Sequence, residues 1–125
     1  MLIEISNGEL VDKVSILEIK NKKIAQKEKR KNVEKEYTYL KKKMKIIGIR
    51  SQSKEYKNLF EINLKIWNLE DKIRQIEKKK NFGDEFINLA RSIYFQNDKR
   101  AILKKQINIK TNSLFSEEKE LPNYK

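Results

Sequence analysis

The sequence predicts an all-α protein, an antiparallel four-helix bundle whose last two helices form a long hairpin, with a short strand possible ahead of the first. Three observations point there. Leu59, Ile62, Ile66, Leu69, Ile73 and Ile76 step by 3, 4, 3, 4 and 3, the spacing of long helices crossing at a shallow angle. The 125 residues include only 3 Gly and 1 Pro, so turns are few and elements long. Hydrophobic residues make up 38% and charged residues another 38%, which suits helices with broad solvated faces better than a compact globule.

Each element follows in order. Met1-Leu2-Ile3-Glu4-Ile5 is a brief apolar run of strand type. Ser6-Asn7-Gly8-Glu9 matches a capping box, in which Ser6 accepts from the Glu9 amide and the Glu9 carboxylate reaches back. The first helix is expected over residues 7–29, with a seam of Leu10, Val14, Leu17, Asn21 and Ile24 and with Ile16 and Ile19 on the opposite side. Apolar residues on two faces place such a helix at the centre of a bundle or in a dimer interface. A dimer is the expectation carried forward. The second helix is expected from an Asn32 N-cap through Val33, Tyr37, Leu40, Met44 and Ile47, stopped by Gly48. Ser51 or Ser53 caps the third. Gly83 ends the third and Asp84 caps the fourth, which is expected over 84–108, about 38 Å at the helical rise. Residues 1–110 then form the bundle domain. Residues 111–125 form a polar, aperiodic tail containing Pro122, unstructured unless docked.

The fourth helix carries an anomaly. Phe82, Phe86, Leu89 and Ile93 step by 4, 3 and 4, but the register then passes through Gln96 and Arg100 before Leu103 and Ile107. A helix built only to pack places aliphatics at those two positions. Polar groups there cost stability unless paired. Beside the seam of the third helix runs a second stripe, Phe60, Asn63, Trp67, Glu70 and Arg74. The fourth helix has a matching flank of Tyr94, Asn97, Ala101, Lys104 and Asn108. An antiparallel hairpin brings Glu70 and Asp71 toward Arg91, and Asn97, Asp98 and Arg100 toward Asn63 and Trp67. Two readings follow: ion pairs that fix helix register, or a pocket for an anionic ligand with Arg and Lys donors and Trp67 as a wall.

Composition narrows the chemistry. With 0 Cys and 0 His there is no thiolate or imidazole nucleophile, base or metal ligand. Glu9-Leu10-Val11-Asp12 supplies half of the paired acidic motif by which all-α nucleotide pyrophosphohydrolases hold magnesium, and no second half lies at the right spacing. No metal and no cofactor is expected. No apolar run reaches membrane-span length and there is no signal-peptide layout, so a cytoplasmic protein without membrane insertion is expected. The formal charge is +12, carried mostly by Lys, with Arg only at positions 30, 50, 74, 91 and 100. That balance matches AT-rich codon usage, and nucleic-acid readers favour Arg, so a nucleic-acid partner is possible but not favoured.

Several stretches resemble a family of small all-helical bacterial and phage proteins known as a domain of unknown function. They are Asn7-Gly8-Glu9-Leu10-Val11-Asp12-Lys13 with Leu17-Glu18-Ile19-Lys20, residues 63–74 (NLKIWNLEDKIR), and Leu89-Ala90-Arg91-Ser92-Ile93-Tyr94 followed by Asn97-Asp98-Lys99-Arg100-Ala101. Glu117-Glu118-Lys119 and Tyr124 also fit, but Glu120 stands where the family carries an aromatic. The family pattern implies that the binding candidates are Asp12, Lys13, Glu18, Glu70, Asp71, Arg74, Arg91, Asn97, Asp98 and Arg100. The stripes add Asn63, Trp67 and Tyr94. The expectation is a non-catalytic helical interaction module that binds a protein partner or itself. The alternative is an anion or small-molecule binding protein, or an enzyme, using the Asp, Glu and Arg cluster. A non-specific nucleic-acid binder comes third.

Overall fold

The computed structural model describes residues 1–124 and consists of α1 (Asn7–Lys23), α2 (Lys27–Ile46), α3 (Lys54–Lys78) and α4 (Asp84–Lys110). The protein is an all-α bundle, and the α3–α4 hairpin is its longest feature. Met1–Ile5 has no regular secondary structure, so no strand forms among the described residues. A strand needs a ladder partner, and no described residue supplies one.

Ser6 caps α1 as expected, accepting from the Glu9 amide at 3.1 Å. The reciprocal half of the box is not made, because the Glu9 carboxylate turns to Lys104 instead. The break between α1 and α2 falls at residues 24–26, earlier than expected, and Asn32 lies inside α2 rather than capping it. α2 ends as the sequence implies. Gly48 sits at φ +86°, its amide donates to Lys45 and that of Ile49 to Met44, closing a Schellman turn with Ile49 buried against Met44. α3 starts at a Ser53 N-cap. Its stop is Lys80, which takes the left-handed conformation at φ 55°, while Gly83 is the N-cap of α4 in place of Asp84.

α1 is the central element. Its backbone lies close to α2, α3 and α4, whereas α2 approaches α1 alone. Residues Leu10, Val11, Val14, Leu17 and Ile19 are buried, Ile16 half-buried, so the second apolar face of α1 is covered within one chain. The central placement of α1 is what covers that face. Leu10, Val11 and Val14 join Met44, Ile49, Tyr56, Leu59 and Ile107 in the core. Burial is concentrated where α1 crosses the hairpin. Tyr56, Leu59, Asn63 and Ile66 are the buried residues of α3, and Gln96, Ile107 and Asn108 those of α4. Toward the hairpin tip, Leu69, Ile73, Ile76, Phe86 and Leu89 are only half-buried, and Phe82 meets Phe86 edge-on at 5.2 Å between ring centroids.

Candidate functional site

The polar residues that interrupt the helix seams gather where α1, α3 and α4 meet. Asp12 and Ser15 lie on α1, Asn63 on α3, Arg100 and Lys104 on α4. The Asn63 amide donates to Asp12 Oδ1 at 2.8 Å and to Ser15 Oγ at 2.7 Å, and its Oδ1 accepts from Arg100 Nη1 at 3.2 Å. Ser15 Oγ donates to the Asp12 carbonyl at 2.7 Å. One side chain thus ties three helices together. Lys104 closes the layer. Its ammonium donates to Glu9 at 2.7 Å and lies 3.9 Å from Asp12 Oδ2, so a lysine supplies the positive charge between the two carboxylates of Glu9-Leu10-Val11-Asp12.

Burial pushes the Asp12 carboxyl above its usual range, against the opposing pull of the Asn63 hydrogen bond, Arg100 and Lys104. Burial alone would lower Lys104, but its bond to Glu9 and the charge of Asp12 hold it above the ordinary lysine value. At the end of the layer, Asn108 Oδ1 accepts from the Gly8 amide at 2.6 Å. That approach is possible only because residue 8 has no side chain. Gln96 is buried one turn before Arg100, and its Oε1 has no hydrogen-bond partner.

The other candidates go elsewhere. Glu18 faces away from the layer and takes Tyr56, whose hydroxyl donates to it at 2.6 Å, and Lys22 at 3.0 Å. Lys13 reaches Glu36 of α2 at 3.5 Å, both side chains about half exposed. Glu70 pairs with Arg74 on its own helix at 3.4 Å rather than with Arg91, which lies over the Phe95 ring. Asp71 and Tyr94 are exposed, Trp67 and Asn97 half-buried. Asp98 receives the hydroxyl of Tyr124 from the chain's last residues instead of joining Asn63 and Trp67. Of the candidates, then, Asp12, Asn63 and Arg100 come together. Sequence reasoning left out Gly8, Ser15 and Glu9 as members of this layer. Lys104 and Asn108 were visible as flank positions of α4, and their pairing with the start of α1 was not.

The Tyr56–Glu18 pair has a pH signature. Burial first, then the hydrogen bond and charge of Glu18, hold the Tyr56 phenol well above its ordinary value. The stability it contributes is intact below the ordinary tyrosine pKa of about 10, and is lost as pH rises beyond it, because only the unfolded phenol then ionises. Tyr56→Phe is expected to cost about 1–2 kcal/mol at neutral pH. Its melting-temperature gap to the parent should narrow between about pH 9 and about pH 11. A gap that stays constant or widens contradicts the pairing.

Fold and polar layer together define a small all-helical protein whose buried charges are matched mainly to one another. The chain belongs to the family of unknown function DUF6165, which it matches over residues 1–123. No curated protein and no solved structure matches it.

Proposed function

We propose that the protein is a non-catalytic helical interaction module that docks a protein partner on one apolar end of the bundle. One observation carries this reading. Met1, Leu2, Ile3 and Ile5 form an apolar segment outside any helix and open to solvent, Leu2 at 94% and Ile3 at 73% exposure. The segment is rooted beside the end of α4, where the Asn7 amide donates to Ser113 Oγ and the Asn7 side chain to Thr111. Ile109, Leu114 and Phe115 are exposed at that same root. Apolar surface of this kind gains about 1.5–3 kcal/mol per large side chain when a partner covers it. A segment outside any helix also offers backbone donors and acceptors to a partner strand.

The polar layer supports this choice from the other side. Asp12, Ser15, Asn63 and Arg100 spend their hydrogen bonds on each other, which suits a register-fixing role. Charge favours a different protein over a second copy. Two chains of +12 repel, while an acidic rim on a partner attracts.

The reading is tested with a photo-crosslinking residue placed at Ile3. The expected result is a product joining this chain to a different, acidic protein, lost in Phe115→Asp while the melting temperature holds. Products no more abundant than from a crosslinker at exposed Lys42 sink the reading. A product joining two copies of the chain replaces the heterologous partner with self-association, and light scattering then gives the order.

A further inference from the structure

Residues 116–124 carry no helix and run back along α4 as a strap. Glu117 pairs with Lys104 and Glu118 with Lys105, each at 3.3 Å. At the far end the Tyr124 hydroxyl meets Asp98, and its ring stacks on Phe95 at 5.9 Å between centroids. The strap is therefore anchored at two places on α4, a lysine pair and an aromatic–carboxylate pair one and a half turns away.

The strap does not fill the groove it covers. A cavity of about 320 Å³ remains beneath it, bounded by Ala101, Ile102, Lys105, Leu121 and Pro122. Chain length explains the void. From Lys105, the partner of Glu118, to Asp98 is seven residues of helix, about 10 Å. From Glu118 to Tyr124 is six residues, but extended chain covers about 20 Å in that length. The strap has roughly twice the length its anchors need, so it bows away from α4. Its grip is weak as well. The side chains of Glu117 and Glu118 are 52% and 74% exposed, and ion pairs that open to water hold loosely.

We propose that the groove on α4 between Lys104–Lys105 and Phe95–Asp98 is a binding site for a short acidic peptide segment of a partner protein, and that the strap occupies it as a tethered competitor. The fitting ligand carries two adjacent carboxylates and a tyrosine three residues on. Three extended residues span about 10 Å, the separation of the anchors, so such a peptide lies flat where the strap bows. The two carboxylates take the lysines, the apolar residues between fill the cavity, and the tyrosine repeats the Phe95 stack and the bond to Asp98. This site is separate from the apolar end beside Ser113, and either can fail without the other.

The test uses the full chain and a labelled hexapeptide with two glutamates followed three residues later by tyrosine, read by fluorescence anisotropy. In the parent the strap competes. In full-length Glu117→Gln/Glu118→Gln/Tyr124→Ala the peptide is expected to bind about tenfold more tightly. Adding Lys105→Glu to that variant should abolish binding, while Lys42→Glu, the same charge change on the exposed face of α2, should leave it intact. Three results overturn the proposal: equal affinity for parent and variant, no binding to a variant whose circular dichroism and melt match the parent, or equal loss from Lys42→Glu. Tighter binding of a single-stranded oligonucleotide than of the peptide also overturns it, and assigns the groove to nucleic acid.

Discussion

Asn63→Leu is expected to destabilise the protein by about 3 kcal/mol, although leucine keeps the branched shape and number of heavy atoms and suits a helix better. The loss comes from what is left behind. Asp12, 5% exposed, loses the donor on its Oδ1, Ser15 loses a donor to its Oγ, and Arg100 loses its acceptor. A buried carboxylate without its hydrogen bond carries the largest share of that penalty. The sign of its pH dependence follows from the raised Asp12 carboxyl. A raised carboxyl favours the fold below its ordinary pKa, and that advantage disappears as pH rises through the folded value. A protonated Asp12 tolerates the loss of Asn63 better than an ionised one. The gap between parent and variant in urea melts should therefore shrink between about pH 7 and about pH 4. A variant within about 0.5 kcal/mol of the parent at neutral pH means the layer does not hold the helices together.

Gly8→Ala should be destabilising by about 1–3 kcal/mol, the reverse of the usual effect of removing a helical glycine. A Cβ at residue 8 would lie 2.4 Å from the Lys104 carbonyl oxygen and 3.0 Å from Asn108 Oδ1. The nearer atom belongs to the backbone of α4, so it has no rotamer to move into, and α1 must withdraw. Withdrawal stretches the 2.6 Å bond from the Gly8 amide to Asn108. Thermal melting of the two proteins decides the sign. A melting temperature at or above the parent's shows that the two helices separate freely at that point.

Most of the architecture was legible because it depends on local periodicity. The 3- and 4-residue steps of α3, the Gly48 stop and the Ser6 cap are properties of short stretches of chain. The boundary between α1 and α2 was not legible. Residues 22–31 are rich in Lys with no Gly or Pro, and Gln26 at the N-cap makes no side-chain bond. The turn at residues 24–26 arises from packing α2 back on α1, which no local signal announces. Met1–Ile5 has strand composition, but strand identity requires a neighbour that sequence does not specify.

The candidate layer was half legible for a related reason. Gln96 and Arg100 stood out because they occupy apolar positions of one helix. Asp12 and Asn63 sit beside seams rather than in them, and their importance comes from the crossing of α1 over the hairpin. Asp98 stood out equally, yet it serves the strap, since two residues along a helix turn the side chain by about 200°, onto the side opposite Arg100.

The placement of α2 has a consequence for how the molecule comes apart. Its backbone nears α1 alone, and Met44 is its only fully buried residue. The other three helices share the layer centred on Asn63 and lean on each other in every pairing. Native-state opening is thus graded, with α2 the first cooperative unit to detach and the remaining triplet the last. The layer around Asn63 stays closed during such excursions, while Met44 leaves the core and α1 is bared along one side. The lysine-rich second helix acts as a shutter over the element on which the whole fold is centred.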